Sequence, residues 1–316
     1  MDLPTYDELP PAPDGGRSAW GLFGDDDSLG LMNLITPEKT RTAAGLVRHG
    51  LTFSLNAPLD FIDPPMWKRA EIAVDPIVSP WSMNEVINNF NPQASSQWDS
   101  LAHIAYAEDT FYNGVSAAEV LATGRNTISH WARRGIVTRG VLLDVQRLRR
   151  AQGREYSPGS DHTFSVDDLE AAREMAGVTF EPGDVLVLHT GFMAWYAGLS
   201  VSERLHISDR ANMQSCGIEH TEEMARYLWN SRISAIASDC PAVEVIPSDQ
   251  SPEGRPFGML HSMIIGQFGM GIGELWLLDE LAAHCAEDGA YEFLLTSAPL
   301  NNRRGVGSPA NALAVK

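Results

Sequence analysis

Long apolar segments, basic residues and cysteines are all scarce in this sequence. No apolar run approaches the roughly 20 residues that a membrane-spanning helix needs, and the acidic start MDLPTYDELPPAPDGG lacks the features of a signal peptide. The 23 Lys and Arg residues are outnumbered by 41 Asp and Glu residues, and the net charge of −18 repels nucleic acid and anionic lipid. The 3 cysteines are far apart and odd in number, which argues against a disulfide framework. We therefore expect a cytoplasmic, acidic globular protein that binds neither nucleic acid nor membranes.

Motifs of several other enzyme classes are also missing. No glycine-rich phosphate loop follows a predicted strand, which disfavours a nucleotide-binding Rossmann unit. No Gly-x-Ser-x-Gly elbow occurs, which disfavours a serine hydrolase. Cys240 stands beside Pro241 without a nearby base signature, so a cysteine nucleophile is disfavoured as well.

The rest of the chain alternates segments that are typical of strands and of helices, which predicts an α/β protein with a mixed sheet. Short apolar runs after turn signals predict buried strands at 140–145 and 184–190. A capping box at the start and a glycine at the end delimit a predicted helix at 165–177. We also predict helices at 35–48, 219–230 and 274–289, and strands at 51–59, 233–239 and 291–300.

Two segments are predicted to lie outside regular structure. Residues 1–19 are acidic and proline-rich, so we expect an exposed N-terminal arm. Residues 60–98 are rich in Pro, Asn and Trp, and we expect loops over a pocket. Aromatic residues such as Trp67 cluster in this part of the sequence, which fits a pocket for a flat, apolar substrate. The residues predicted to contact substrate are Trp81, Phe90, Trp98 and Phe111.

The segment QASSQWDSLAH (93–103) concentrates polar side chains that can act together. Gln93, Gln97, Asp99 and His103 do not share one helical face, but their spacing fits a strand or loop that turns into a helix. The alternative interpretation is an ordinary polar segment, because an Asp-x-x-x-His pair is often a cap and a surface histidine.

A second pair of polar residues, His261 and Glu274, brackets the stretch HSMIIGQFGMGIGE. The apolar run after His261 predicts a buried strand that starts at this histidine. The glycine-rich stretch would then place Glu274 at the start of the last long helix, close to His261. Because the helix dipole alone favours a carboxylate there, a purely structural interpretation remains open.

Aligned without gaps, residues 93–103 resemble the signature His-x-Gly-Thr-His-x-Asp-x-Pro-x-His of the cyclase family, which includes bacterial kynurenine formamidase and isatin hydrolase. Asp99 and His103 are identical to it, and the segment is similar to a branch of the family with Gln-x-x-x-Gln-Trp-Asp. Further similarity follows in the same order in DDDSLGLMNLITPE (25–38), FYNG (111–114), RGVLLDV (139–145), PGDVLVLHTG (182–191), SDCPAVEV (238–245), GMGIGELWLLDELA (269–282) and GSPANALA (307–314).

This resemblance implies a swivelling β/β/α fold, with a mixed sheet flanked by helices, in a single domain at 20–316. It also implies a homo-oligomer, either a dimer or a tetramer. It implies a divalent ion, Mn²⁺ or Zn²⁺ with Mg²⁺ also compatible, and the glutamine oxygens favour Mn²⁺ or Mg²⁺ over Zn²⁺. The implied ligands are Gln93, Gln97, Asp99, His261 and Glu274, and the implied catalytic residue is His103.

The implied function is hydrolysis of an amide, cyclic amide or lactone in a small apolar or aromatic substrate. Water activated by the metal would be the nucleophile, and His103 the general base and acid. One alternative is a non-catalytic relative that binds a small molecule and has lost the metal, which metal analysis would reveal. Another is a lyase or cyclase with His103 as base, which would leave the oxygen of ¹⁸O-water out of its product. His189, at the end of a predicted strand, could be structural or could line a pocket.

Overall fold

The structure is a computed structural model that describes residues 3–13 and 15–316, so Met1, Asp2 and Asp14 of the predicted arm lie outside it. The strands are β1 (Thr52–Ser54), β2 (Ala73–Val78), β3 (Met83–Asn88), β4 (Gln97–Asp99), β5 (Ile136–Asp144), β6 (Thr163–Phe164), β7 (Val185–His189), β8 (Gly217–Ile218), β9 (Ala235–Ser238), β10 (Gly271–Glu274), β11 (Glu292–Ser297), β12 (Gly307–Pro309) and β13 (Ala312–Val315). The helices are α1 (Pro37–Ala44), α2 (Ala117–Thr123), α3 (Ser129–Arg134), α4 (Val145–Ala151), α5 (Val166–Ala176), α6 (Phe192–Ala197), α7 (Val201–Ser208), α8 (Glu222–Asn230), α9 (Leu260–Ile264) and α10 (Asp279–Asp288).

One mixed sheet organises the described part of the chain. Its strand order is β1-β13-β11-β5-β7-β9-β10-β4-β12. The run β5-β7-β9-β10 is parallel, and the strands on either side of it are antiparallel. The predicted α/β architecture with a mixed sheet flanked by helices is therefore confirmed. Among the described residues, every helix is too short or too polar to cross a bilayer.

Elements with clear local signals form where the sequence predicts them. In α5, Ser165 accepts a hydrogen bond from the backbone N–H of Asp168, and the Asp168 carboxylate accepts one from the N–H of Ser165. Gly177 ends this helix at a φ of 66°, a left-handed conformation that glycine adopts without steric strain. The apolar runs that predicted two buried strands become β5 and β7, and every residue of β7 is buried.

Two predictions around His261 are wrong. The apolar run that follows it forms helix α9 rather than a strand, because so short a run has no periodicity that separates the two. Glu274 is the last residue of β10, and α10 begins only at Asp279. The carboxylate of Glu274 is therefore set by a strand pairing and not by a helix dipole.

The segment 60–98, predicted as loops, contains a β-hairpin made of β2 and β3. Pro76 lies inside β2 and lowered the strand signal in the sequence, but an edge of an isolated hairpin tolerates a proline. Every residue of both strands is exposed. Since a lone two-stranded hairpin is marginally stable in water, this exposed hairpin fits the homo-oligomer, which stays a prediction.

The N-terminal segment packs against the domain, so the prediction of an exposed arm is corrected. Tyr6 and Leu9 are buried, and the Tyr6 ring meets the edge of Phe268 at a centroid distance of 6.1 Å. The indole N–H of Trp229 donates to the carbonyl of Pro4 at 3.0 Å. Acidic residues and prolines dominate the composition of this segment, yet the apolar side chains between them enter the core.

Candidate active site

Strand β4 sets the direction of the side chains in the signature segment. Gln97 and Asp99 are two residues apart and share one face of the strand, whereas Trp98 points to the other face. Trp98 is fully buried against Trp131 and Trp276, with ring centroids at 6.1 and 4.9 Å. Trp98 is therefore a core residue that anchors β4, rather than the substrate contact predicted for it.

Helix α9 and strand β10 bring His261 and Glu274, which are distant in sequence, next to β4. β10 pairs with β4 so that Glu274 lies opposite Gln97, and the Gln97 amide donates to a Glu274 carboxylate oxygen. Nε2 of His261 lies 2.9 Å from Oε1 of Glu274. One potential ligand atom from each of Asp99, His261 and Glu274 lies within 4.8 Å of the others, and all three residues are buried. The structure thus assembles three of the predicted ligands into one cluster.

Glu244 orients His261, and sequence analysis did not identify it. Nδ1 of His261 forms a hydrogen bond with Glu244, which also accepts the backbone N–H groups of Leu260 and His261. Nε2 of His220 lies 2.9 Å from the same carboxylate. Although burial raises the pKa of Glu244, contacts with His261 and His220 lower it to about 2. Because Glu244 occupies one ring nitrogen, the other is directed at the cluster, the usual support of a metal-ligating histidine.

The cluster concentrates negative charge away from water. Burial, followed by the nearby charge of Asp99, raises the pKa of Glu274 to about 7. The carboxylates of Glu244 and Glu274 raise the pKa of His261 well above its usual value, although burial alone would lower it. A bound cation would stabilise these carboxylates.

Two buried oxygen atoms test whether a metal fits. Oε1 of Gln97 and Oδ2 of Asp99 have no hydrogen-bond partner among the described residues. An unsatisfied buried polar atom costs about 1–3 kcal/mol, and an ion held between these oxygens would remove that cost. The oxygen-rich donor set, with a single imidazole, suits Mn²⁺ or Mg²⁺. The residues therefore fit a divalent ion.

Gln93 has a different place from Gln97. Its amide nitrogen donates to Oδ1 of Asp99 at 2.6 Å and lies 3.0 Å from Nδ1 of His103. In this arrangement Gln93 supports Asp99 and His103, whereas Gln97 donates to Glu274 and its Oε1 has no partner among the described residues.

His103 lies at the edge of the cluster, with Nε2 3.7 Å from Oδ1 of Asp99. Burial lowers the pKa of His103, and this effect outweighs the raising effect of Asp99. The imidazole is therefore neutral at pH 7 and able to accept a proton.

The cluster faces a cavity of about 530 Å³ that Asp99, His103, His261 and Glu274 help to line. Much of the remaining wall is apolar, and two arginines, Arg69 and Arg210, also contribute to it. Apolar wall residues include Trp67, Ile104, Met213, Ala242, Ile246 and Met259. Such a cavity accommodates a small molecule with an apolar body.

None of the aromatic residues predicted to contact substrate lines this cavity. Trp81 lies in the turn between β2 and β3 with 95% of its surface exposed, Phe90 lines a separate surface cavity, and Phe111 precedes the short turn Tyr112–Gly114. Trp67 is the aromatic residue of this region that reaches the site. Closeness in sequence indicated the right region, but it carried no information on side-chain direction.

Comparisons with known proteins identify the family and the fold of the chain. The model of a family described as putative cyclase matches residues 52–245. A crystal structure described as that of a novel cyclase is 31% identical, with a TM-score of 0.83 over 95% of this chain and 99% of that one. No protein with a curated description matches the chain.

More distant solved structures share the fold. Isatin hydrolase A from Labrenzia aggregata, solved with benzyl benzoate, is 16% identical, with a TM-score of 0.60 over 86% of this chain and 94% of that one. Isatin hydrolase A from Ralstonia solanacearum is 17% identical, with a TM-score of 0.58 over 86% and 93%. The family match covers more than half of the chain, and the similarity at 31% identity covers nearly all of it. The chain therefore belongs to the putative cyclase family and has the fold of its solved members.

Proposed function

We propose that this protein is a metal-dependent hydrolase that cleaves an amide, cyclic amide or lactone bond in a small apolar or aromatic substrate. The observation that carries this proposal is the cluster of Asp99, His261 and Glu274 on the wall of a cavity with both polar and apolar lining, beside two oxygens that have no partner among the described residues. Two relatives with the same fold are named isatin hydrolases, which supports hydrolysis as the reaction class.

Asp99, His261 and Glu274 would hold the ion, with Oε1 of Gln97 as a further oxygen donor. When bound, a divalent ion lowers the pKa of water and polarises a substrate carbonyl. Glu244 keeps the ring of His261 in place through Nδ1, so that Nε2 remains beside Glu274 and would be available as a ligand. Burial of the cluster excludes bulk water, which strengthens each of these electrostatic contacts.

His103 is the proposed general base and acid. Its neutral imidazole would take a proton from the attacking water and return it to the leaving nitrogen or oxygen. Gln93 lies against both ring nitrogens, at 3.0 and 3.2 Å, and so holds the ring at the edge of the cluster. The Asp99 carboxylate lies 3.7 Å from the ring and would stabilise the imidazolium that forms.

A substrate panel in ¹⁸O-water tests the proposal. Protein loaded with Mn²⁺, Zn²⁺ or Mg²⁺ should convert members of a panel of formamides, cyclic imides and lactones, and mass spectrometry should find one solvent oxygen in the product. Turnover without ¹⁸O would indicate a lyase or cyclase instead. Protein that retains no metal under any of these conditions would contradict the proposal.

A further inference from the structure

Arg69 is a cation on the cavity wall that the proposed chemistry does not use. It follows the short turn Met66–Lys68, and its guanidinium carbon lies 4.8 Å from the centroid of the Trp67 ring. Nη1 donates to the backbone carbonyl of Gln93. These two contacts hold the guanidinium plane at the wall of the cavity, close to the cluster.

The remaining donors of Arg69 have no acceptor in the part of the chain that the structure describes. Within residues 3–13 and 15–316, Nε and Nη2 of Arg69 form no hydrogen bond, and no carboxylate oxygen lies within 4.0 Å of the guanidinium. A guanidinium carries five N–H donors in a planar fork that matches a carboxylate. Arg69 therefore presents the chemical counterpart of an anionic, two-oxygen group to the cavity.

Arg139, which is buried, shows how this fold satisfies a guanidinium that has only a structural role. Arg139 donates to both oxygens of Asp184, at 2.9 and 2.6 Å, and also contacts Glu292. Burial lowers the pKa of Arg139, but its contacts with Asp184 outweigh this effect and raise the pKa. Burial also lowers the pKa of Arg69, and the more distant carboxylates of Glu274 and Asp99 do not offset this effect. Among the described residues Arg69 lacks such a carboxylate partner, so its free donors are available to a ligand that supplies one.

We propose that Arg69 binds a carboxylate of the substrate, so that the substrate class is a small apolar acid with a hydrolysable amide or lactone. This inference rests on the proposed function and adds that the substrate carries a negative charge. An ion held by Asp99 and Glu274 would offset their charges, which otherwise repel an anion. Arg69 would then supply the positive charge that fixes the orientation of the substrate, while the apolar wall contacts its body.

Calorimetry on the Mn²⁺-loaded protein tests this inference without turnover. The probes are 3-phenylpropanoate and its uncharged analogue 3-phenylpropanamide. We expect the wild type to prefer the acid, and Arg69→Met to weaken binding of the acid by roughly tenfold to a hundredfold, the range for a hydrogen-bonded charge pair. Binding of the amide should change by less than about threefold, since methionine preserves the contact with Trp67. Arg69→Lys should recover only part of the affinity, because an ammonium lacks the fork.

Arg204→Met is the matched control, because Arg204 lies 4.9 Å from the centroid of the Tyr196 ring but does not line the cavity. It should leave binding of both probes unchanged. Equal losses for acid and amide in Arg69→Met would overturn the inference, as would unchanged binding of the acid, which would place its carboxylate on the metal. A wild type that binds neither probe at millimolar concentration would also overturn it. Hydrolysis in ¹⁸O-water is measured separately, so failure of the inference is distinguishable from failure of the proposed function.

Discussion

Two buried histidines in this protein are each held between two carboxylates, yet only one of them belongs to a cluster that could hold a metal ion. His261 contacts Glu244 and Glu274. His189 lies 3.0 Å from Asp144 and 3.4 Å from Asp279. The side chains of both histidines are almost fully buried, at 7% and 6% exposure.

The sites of His261 and His189 differ in the groups that surround them. A third carboxylate, Asp99, joins His261, and oxygens without partners remain beside it. Asp144 instead accepts the backbone N–H of Arg147 at the start of α4, and Asp279, 40% exposed, begins α10. His189 therefore ties the ends of β5 and β7 to α10 through ion pairs, and together with Asp144 and Asp279 it also lines a separate cavity. A histidine between carboxylates indicates a metal site only where a further ligand and unfilled oxygens converge on it.

Removing the Asp99 carboxylate should erase the difference between the surroundings of His261 and His189. We expect this change to have the largest effect of those predicted. We expect Asp99→Asn to lower metal affinity by roughly a hundredfold or more and to abolish hydrolysis, because it neutralises a charged ligand. Elemental analysis and titration with Mn²⁺ measure the affinity. His189→Gln is the control and should retain wild-type metal content. Full metal binding by Asp99→Asn would show that the cluster is no more a metal site than the pair at His189.

Replacing His103 separates proton transfer from metal binding. His103→Ala should lower kcat by roughly 10²–10⁴-fold, the usual contribution of positioned proton transfer. Metal content should stay at the wild-type level, because the imidazole contacts Gln93 and Asp99 rather than completing the cluster. Added Mn²⁺ should not restore the rate. Loss of the metal in this variant would instead make His103 a ligand.

The support of His261 can be tested through Glu244. Glu244→Gln should weaken metal binding by roughly 10- to 100-fold, since a weaker acceptor on Nδ1 orients the ring less well and lowers its basicity. Glu219→Gln, at the residue that follows β8 and outside the cavity, is the matched control. Unchanged affinity in Glu244→Gln would mean that helix α9 alone orients His261.

The smallest effect, on stability alone, is expected at His189. Asp144 and Asp279 raise the pKa of His189 to about 10 although burial lowers it, against about 6.5 in the unfolded chain. Its ion pairs therefore stabilise the fold fully below about pH 6.5, and that stabilisation is lost as the pH rises through about 10. His189→Gln should lower the free energy of unfolding by about 3 kcal/mol at pH 6 and by less at pH 10. Urea denaturation at the two pH values measures this loss in the free energy of unfolding. An equal loss at both pH values would contradict the conclusion that His189 is protonated in the folded protein.

Local signals account for the parts of the fold that the sequence predicted well. The capping box and terminal glycine of α5 act within a few residues, and the apolar runs of β5 and β7 are long enough to mark buried strands. The short run after His261 carried no such signal, so its helix was missed. The hairpin of β2 and β3 was missed because its strands bury nothing within the described chain.

The sequence by itself determined the residue types of the site, but it left open whether Gln97 and Asp99 lie on a strand or in a loop. Once β4 forms, their two-residue spacing places both on one face, because side chains alternate along β-structure. Only the tertiary structure decided that Glu274 lies opposite Gln97, that Glu244 orients His261 and that Arg69 reaches the cavity. These contacts join residues far apart in the chain, and they depend on strand pairing and helix packing that local periodicity does not encode.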